Sequence, residues 1–368
     1  MGFDSGGTYQ YKSLEEKYKG FLAPDFEIHV GSMTINSHNV PVSFLEVKMT
    51  LEGAGYAKFS VESLYDYEAS DWVSRLIADI HIGDLVKVSV GYCTRNTRIF
   101  LGYVDSYTVN FRQESSPSVT IVAMDAITVL NCDRRVISFA DQEASQMIKK
   151  MIQDSGVGSI IEKISVDTIP VQMKLVEKKN ISRGTILNAL AKRLFYSYCV
   201  INGELLMKNL MSNTSPLLSL TMGLDLKTFE KTVNIKSRMV KSVDVRGTDD
   251  NKKVVSAEAS SLEGSSGDDP TKVQQLVNAK LSLNIGDAKT VDDCQNYAKK
   301  ILSSLSLGFL EADAETIGYP EMTPGRYIKI GGLDRRSNGS YFVTEVIHSF
   351  GPDGYINKIH MKGYNEKR

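Results

Sequence analysis

The sequence predicts a mixed β and α+β chain: two related small β-barrels with an α+β domain inserted between them. Three observations carry that prediction. Short strand signals separated by turn residues crowd residues 25–135 and return over residues 309–368. Between them, apolar residues shift to helical spacing. Finally, Gly83-Asp84-Leu85-Val86-Lys87-Val88 can be laid over Gly325-Arg326-Tyr327-Ile328-Lys329-Ile330. After a loop that is shorter in the second copy, Val343, Val346 and Phe350 match Val104, Tyr107 and Phe111 at identical spacing.

In chain order, residues 1–24 are polar and mixed in charge and read as a loosely held arm, either a partner-binding strap or a frayed terminus. Residues 25–135 form the first barrel. Phe26, Ile28 and Val30 alternate with Glu27 and His29, and further strand signals follow around Phe44–Leu51, Phe59–Leu64, Leu85–Val90, Tyr103–Phe111 and Val119–Met124. Trp72, Leu76 and Ile80, four apart, predict a short helical patch inside this region. Residues 136–228 form the α+β domain. Asp141, Gln142 and Glu143 place negative charge before a helix carrying Met147, Ile148, Met151 and Ile152, stopped by Gly156. Ser182 opens a second helix, and Asn202-Gly203 joins two strands in a type I′ hairpin.

Residues 229–260 are the first part of the second barrel. Residues 261–308 are a loop and a helix packing with the α+β domain; the run at 260–270 is the clearest flexible loop, and Thr290 with Asp293 forms a capping box for the helix. Residues 309–368 complete the second barrel. Turns are predicted at Pro324-Gly325, Asn338-Gly339 and Gly351-Pro352-Asp353-Gly354, with tight hairpins at the Asn-Gly and Asp-Gly pairs.

A chain of 368 residues has room for two or three domains at about 100–200 residues each. The 42% apolar and 24% charged shares are ordinary for a globular protein, and a net charge of −1 gives no pull toward nucleic acid or anionic lipid. Cys93, Cys132, Cys199 and Cys294 are widely separated and read as reduced thiols. The first residues have no basic segment followed by an apolar core, so no signal peptide is expected. No run of about 18 apolar residues occurs, so no membrane insertion is expected.

The search for chemistry yields no catalytic, cofactor-binding or metal-binding set. The sequence has no phosphate loop, no His-Glu-x-x-His and no Gly-x-Ser-x-Gly elbow. His29, His38 and His81 lack metal-ligand spacing. His348 is a candidate base or ligand, with a hydrogen-bonded core histidine as the ordinary alternative. Cys199 is a candidate nucleophile, but its neighbours Tyr198 and Val200 read as a core strand. Lys227, Lys231, Lys236, Arg238 and Lys241 make a basic run that is either a solvated face or a site for an acidic partner. Asp66, Glu68 and Asp71 mirror it with negative charge.

The order of these motifs resembles the phage late control protein D family, which includes the hub portion of VgrG proteins and the central baseplate hub of contractile tails. The residues that carry it are Pro320, Pro324-Gly325, Tyr327-Ile328-Lys329-Ile330, Gly339-Ser340-Tyr341-Phe342-Val343, His348 and Gly354-Tyr355. To these are added Lys241–Asp249, Gly83-Asp84, Val90-Gly91-Tyr92, Phe100–Val104 and Asp125-Ala126. The resemblance implies a non-enzymatic structural protein: a homotrimer whose paired barrels form a pseudo-sixfold ring between the hexameric tail tube and a trimeric spike. The implied partners are the spike protein, the tail tube protein and baseplate wedge proteins, with the tape-measure protein a further candidate. Such a chain is made in the bacterial cytoplasm and built into the baseplate of a virion or phage-like particle such as a tailocin. VgrG chains continue into a spike, whereas this one ends at Arg368, so the spike is expected as a separate polypeptide. The alternatives are a tail-tip protein of a non-contractile phage, a cell-wall-degrading tail enzyme and a carbohydrate-binding module.

Overall fold

The structure is a computed structural model that describes residues 7–36, 41–62, 65–72, 79–113, 115–167, 172–178, 180–233, 240–260, 279–306 and 310–363. Its chain contacts divide it into two units. Unit 1 comprises Met1–Asn213, Glu315–Gly325 and Thr344–Ile359; unit 2 comprises Thr214–Ala314, Arg326–Val343 and His360–Arg368. The predicted 260–270 loop lies, past Ser260, outside the described residues, as does His38.

Unit 1 opens with helix α1 (Tyr11–Lys17) and then strands β1 (Pro24–Val30), β2 (Met33–Asn36), β3 (Val42–Thr50), β4 (Tyr56–Glu62), β5 (Tyr65–Asp66), β6 (Asp71–Trp72), β7 (Leu85–Tyr92), β8 (Arg95–Arg112) and β9 (Ser115–Met124). The pairing order is β3-β4-β9-β8-β7-β1-β2, antiparallel throughout. Alternation in β1 and β3 buries Phe26, Ile28 and Val30 and then Leu45, Val47 and Met49. Trp72, expected in a helix, pairs with Tyr65 across the β5–β6 hairpin instead. Aromatic cross-strand contact with Tyr65 at 5.3 Å outweighs the four-residue spacing there; Leu76 lies outside the described residues.

Over its described residues the arm is docked rather than loose. Leu14 and Tyr18 are buried. The Phe21 ring lies 5.5 Å from Tyr92 and 5.4 Å from Tyr319, both edge-on. Three apolar anchors within eight residues overcome the ordering cost that a polar composition suggested would win.

After β9, Asp125 caps helix α2 (Ala126–Cys132): its Oδ1 accepts from Ile127 N at 2.9 Å and its Oδ2 from Gly55 N at 2.6 Å. Then come β10 (Ile137–Glu143), α3 (Ala144–Gln153), β11 (Lys163–Val166), β12 (Gln172–Lys178), α4 (Arg183–Leu194), β13 (Ser197–Ile201) and β14 (Glu204–Lys208). Ser182 caps α4 by accepting from Thr185 N, and Gly156 follows α3 at φ +81°. Asn202 and Gly203 both have positive φ, as a type I′ turn requires. Strands β10, β11 and β12 are too short or too interrupted to be expected from the sequence. Two of them, β10 and β12, pair with each other, and β11 runs parallel to β14. The three helices bury Leu130, Met147, Ile148, Met151, Leu187 and Leu190 in one core with Leu205 and Met207 of β14.

Unit 2 contains β15 (Pro216–Thr221), β16 (Leu226–Val233), β17 (Ser242–Thr248), β18 (Val254–Ala259), β19 (Lys280–Asn284) and α5 (Val291–Ser306). The capping box forms as the sequence suggests. Thr290 N donates to Asp293 Oδ2 at 3.0 Å and Asp293 N to Thr290 Oγ1 at 3.1 Å. Its helix packs on β17 and β18, burying Cys294, Ala298, Ile301 and Leu302. The remaining strands are β20 (Leu310–Ile317), β21 (Tyr327–Gly331), β22 (Gly339–Gly351) and β23 (Gly354–Gly363), and β20, β22 and β23 contribute residues to both units. The pairing order here is β16-β20-β23-β22-β21-β15. Asn338-Gly339 is not a tight positive-φ turn. Gly332 supplies the positive φ at +77°, and the Asn338 side chain closes a wider loop on the backbone of Leu333.

Candidate functional site

The two hairpins matched in sequence are matched in geometry. In the first, Leu85 pairs with Tyr103, Val86 with Gly102, Lys87 with Leu101 and Val88 with Phe100. In the second, Tyr327 pairs with Phe342, Ile328 with Tyr341, Lys329 with Ser340 and Ile330 with Gly339. Laying Lys87 on Lys329 therefore lays each partner on its counterpart. The entry turns agree as well. Gly83 and Gly325 sit at φ +91° and +83°, a backbone region that a side chain disfavours. Val104 N donates to Asp84 O at 2.8 Å, and Val343 N donates to Arg326 O at 2.9 Å. The six-strand orders also correspond, β3-β4-β9-β8-β7-β1 with β16-β20-β23-β22-β21-β15. One pairing differs: β1 is antiparallel to β7, whereas β15 is parallel to β21.

In unit 1, the outer half of β22 pairs with β3, setting Val346 opposite Met49, His348 opposite Val47 and Phe350 opposite Leu45. Lys48 Nζ meets Glu345 Oε2 at 2.8 Å across the same edge. His348 is fully buried here. Its Nδ1 accepts from Tyr355 Oη at 2.7 Å and from Asn357 Nδ2 at 2.9 Å, and its Nε2 donates to Met322 O at 3.1 Å. Burial holds its pKa down at about 3, so the ring is neutral with the proton on Nε2. Asn357 Oδ1 in turn accepts from Tyr319 N at 2.6 Å. The Tyr355 ring stacks on Phe350 at 4.2 Å and packs so closely on Gly318 that a Cβ there would lie 2.2 Å from it. This set has all its polar atoms committed to one another; it locks the β22–β23 hairpin and offers no exposed base.

The other residues singled out in the sequence are not brought together. His29 pairs with Glu27 on the surface of β1 and is 3.0 Å from Thr34 Oγ1. His81 N and the Asp84 carboxylate close a local turn at 2.7 Å. The Cys199 thiol is fully buried and pushed up by that burial, so it stays protonated and unreactive. Among the described residues no group of His, Cys, Asp and Glu has metal-binding geometry. Lys227 and Lys231 lie on β16, with Lys231 Nζ donating to Arg336 O at 2.6 Å; Lys236 and Arg238 lie outside the described residues. Asp66, Glu68 and Asp71 are exposed on the β5–β6 hairpin, where the Tyr65 ring packs on Phe111 at 4.9 Å.

One buried ion pair gave no sequence signal. Arg183 at the start of α4 donates through Nε to Asp133 Oδ2 at 2.6 Å and through Nη1 to Met151 O at 2.8 Å. Asp133 also receives Arg135, whose hydrogen bonds hold the Asp133 carboxyl down at about 2. A basic residue one position after a helix cap usually points to solvent, so only tertiary packing reveals this joint.

The fold that carries these paired hairpins is also found in solved tail proteins of phages and in a related secretion-system component. The chain shares its fold with a tail protein of the MuSo2 prophage from Shewanella oneidensis (TM-score 0.65, 13% identity, 92% of this chain and 98% of that one). It shares it also with a tail protein from Neisseria meningitidis (TM-score 0.67, 11% identity, 93% and 97%). A third likeness is to an Escherichia coli component of the type VI secretion system, described as structurally similar to two tail proteins of bacteriophage T4 (TM-score 0.56, 9% identity, 93% and 78%). No curated protein matches the chain in sequence. A family model, the Alg8 N-terminal domain, matches residues 23–351, and the chain belongs to that family. No helix among the described residues is long and apolar enough to cross a membrane.

Proposed function

We propose that this chain is a structural baseplate hub of the late control protein D kind, in a contractile phage tail or a phage-like injection particle such as a tailocin. Three copies close a ring in which two related modules per chain present a pseudo-sixfold face to the hexameric tail tube, and the threefold axis meets a trimeric spike. Wedge proteins contact the ring from outside, and the tape-measure protein is a further candidate at its centre. The work is symmetry matching and transmission of force, with no covalent step. Interfaces of this permanent kind bury on the order of 2,000 Å² or more.

The observation that carries this reading is the shared register of the two hairpins, down to the hydrogen bonds of Val104 and Val343. Duplication inside one chain is what lets a threefold assembly meet a sixfold one. Its test is light scattering of the purified chain, alone and mixed with the spike protein. A mass of three chains is expected. A strict monomer under both conditions would overturn the proposal.

A further inference from the structure

Beyond their last shared hydrogen bond, β8 and β22 keep the same spacing of two apolar residues, Tyr107 and Phe111 against Val346 and Phe350, but have different neighbours. β8 leaves β7 after Tyr103 and runs on to Arg112 with β9 along one side. Its other edge carries no strand among the described residues. β22 leaves β21 after Phe342, but its outer half is taken up by β3. Val346, His348 and Phe350 are at most 8% exposed, whereas their counterparts Tyr107, Val109 and Phe111 are 49%, 40% and 52% exposed. A register shift at Asp105 separates β8 from strict alternation, yet residues 105–109 are exposed on both faces, so the contrast holds for either parity.

The counterpart of β3 is β16. Each sits at one end of its six-strand order, beside β4 or β20. The outward edge of β3 is filled by β22, while β16 ends its order with no further strand among the described residues. Lys227, Thr228, Glu230, Thr232 and Val233 on it are exposed. A strand edge of this kind accepts another strand through its backbone groups. Among the described residues two places are thus without a strand, and they are the two halves of a contact that the chain makes once within itself.

We propose that residues 105–111 of β8 in one copy pair antiparallel with β16 of the next copy, repeating between chains the contact that β22 and β3 make within one. This rests on the ring-forming hub reading above and names the strands that close the ring. Because the two surfaces differ, the contact is heterologous, and it closes into a ring of three when its rotation is the threefold one that the hub reading requires. Net charge agrees with the pairing: β16 carries Lys227 and Lys231 against Glu230, and the end of β8, which holds Arg112, is flanked by the acidic hairpin of Asp66, Glu68 and Asp71. Like charges directly opposite would oppose the pairing.

The test compares wild type, Val109→Glu and Thr228→Glu by light scattering, each alone and with the spike protein. Wild type is expected at the mass of three chains. Both variants are expected at one third of that mass, with the circular dichroism and thermal midpoint of the single chain unchanged, because both positions are exposed in it. A wild-type trimer that survives both substitutions overturns this pairing and leaves the hub reading standing; a wild-type monomer overturns both. Hydrogen exchange on the wild-type trimer reads the contact directly. Amides of residues 106–111 and 227–232 should be protected by assembly, and unchanged exchange in both segments overturns the pairing.

Discussion

The outer halves of β8 and β22 begin from the same hairpin geometry and share apolar residues at Tyr107/Val346 and Phe111/Phe350, and they end in different surroundings. One lies against β3 and holds a buried histidine network; the other faces solvent on both sides up to Val109. The difference teaches that a strand's own pattern does not settle its burial. The strand that fills its edge does so, and here that neighbour comes from far away in the chain.

The largest effect expected from breaking this comparison is at its apolar end. Phe350→Ala removes a ring stacked on Tyr355 at 4.2 Å. It should cost about 3–5 kcal/mol in urea unfolding of the single chain. Phe111→Ala, on the exposed copy, should cost well under half of that. Equal losses would mean that the two halves share one environment after all.

A smaller effect is expected at the centre. His348→Val places in β22 the residue that β8 carries at Val109, and it leaves Tyr355 Oη and Asn357 Nδ2 without their acceptor. A total cost of about 1–3 kcal/mol follows from stranding these buried groups, whereas Val109→His should be nearly silent in the single chain. The pH dependence has a definite sign. His348 titrates at about 3 in the folded chain and at about 6.5 when unfolded. Its contribution is therefore fully present above about pH 6.5 and is lost as pH falls toward 3, because the unfolded chain takes up the proton first. Unfolding midpoints measured between pH 7 and 4 should fall with acid in wild type and fall less in His348→Val.

The smallest effect tests the equivalence of the entry turns. Gly83→Ala and Gly325→Ala both force a Cβ into positive φ. Each should cost roughly 1–2 kcal/mol. Matching losses in thermal unfolding sharpen the comparison, and a silent change at one glycine alone breaks it.

Much of this was legible beforehand because its signals are local. The turn at Asn202-Gly203, the caps at Ser182 and Asp293, and the stop at Gly156 each depend on a few residues whose conformational limits are known from their chemistry. The repeat was legible because glycine, strand and spacing recur together. The Asn338-Gly339 turn was misread because its asparagine side chain serves a wider loop, a choice made by Gly332 and Leu333. The arm was misread because polar composition said nothing of where Leu14, Tyr18 and Phe21 would find rings to pack on. Arg183 at its buried carboxylate is the same kind of miss, since burial of a charge depends on a partner fifty residues away.

The sequence alone determined the two modules, their shared hairpin and the absence of any familiar catalytic motif, since strand period, turn chemistry and motif spacing are properties of short segments. Only the tertiary structure decided that β3 pairs with β22, that β16 and the outer half of β8 have no such neighbour among the described residues, and that His348 is a neutral core residue. Edge pairing and desolvation depend on which distant segments meet, and that information is held by no single stretch of the chain.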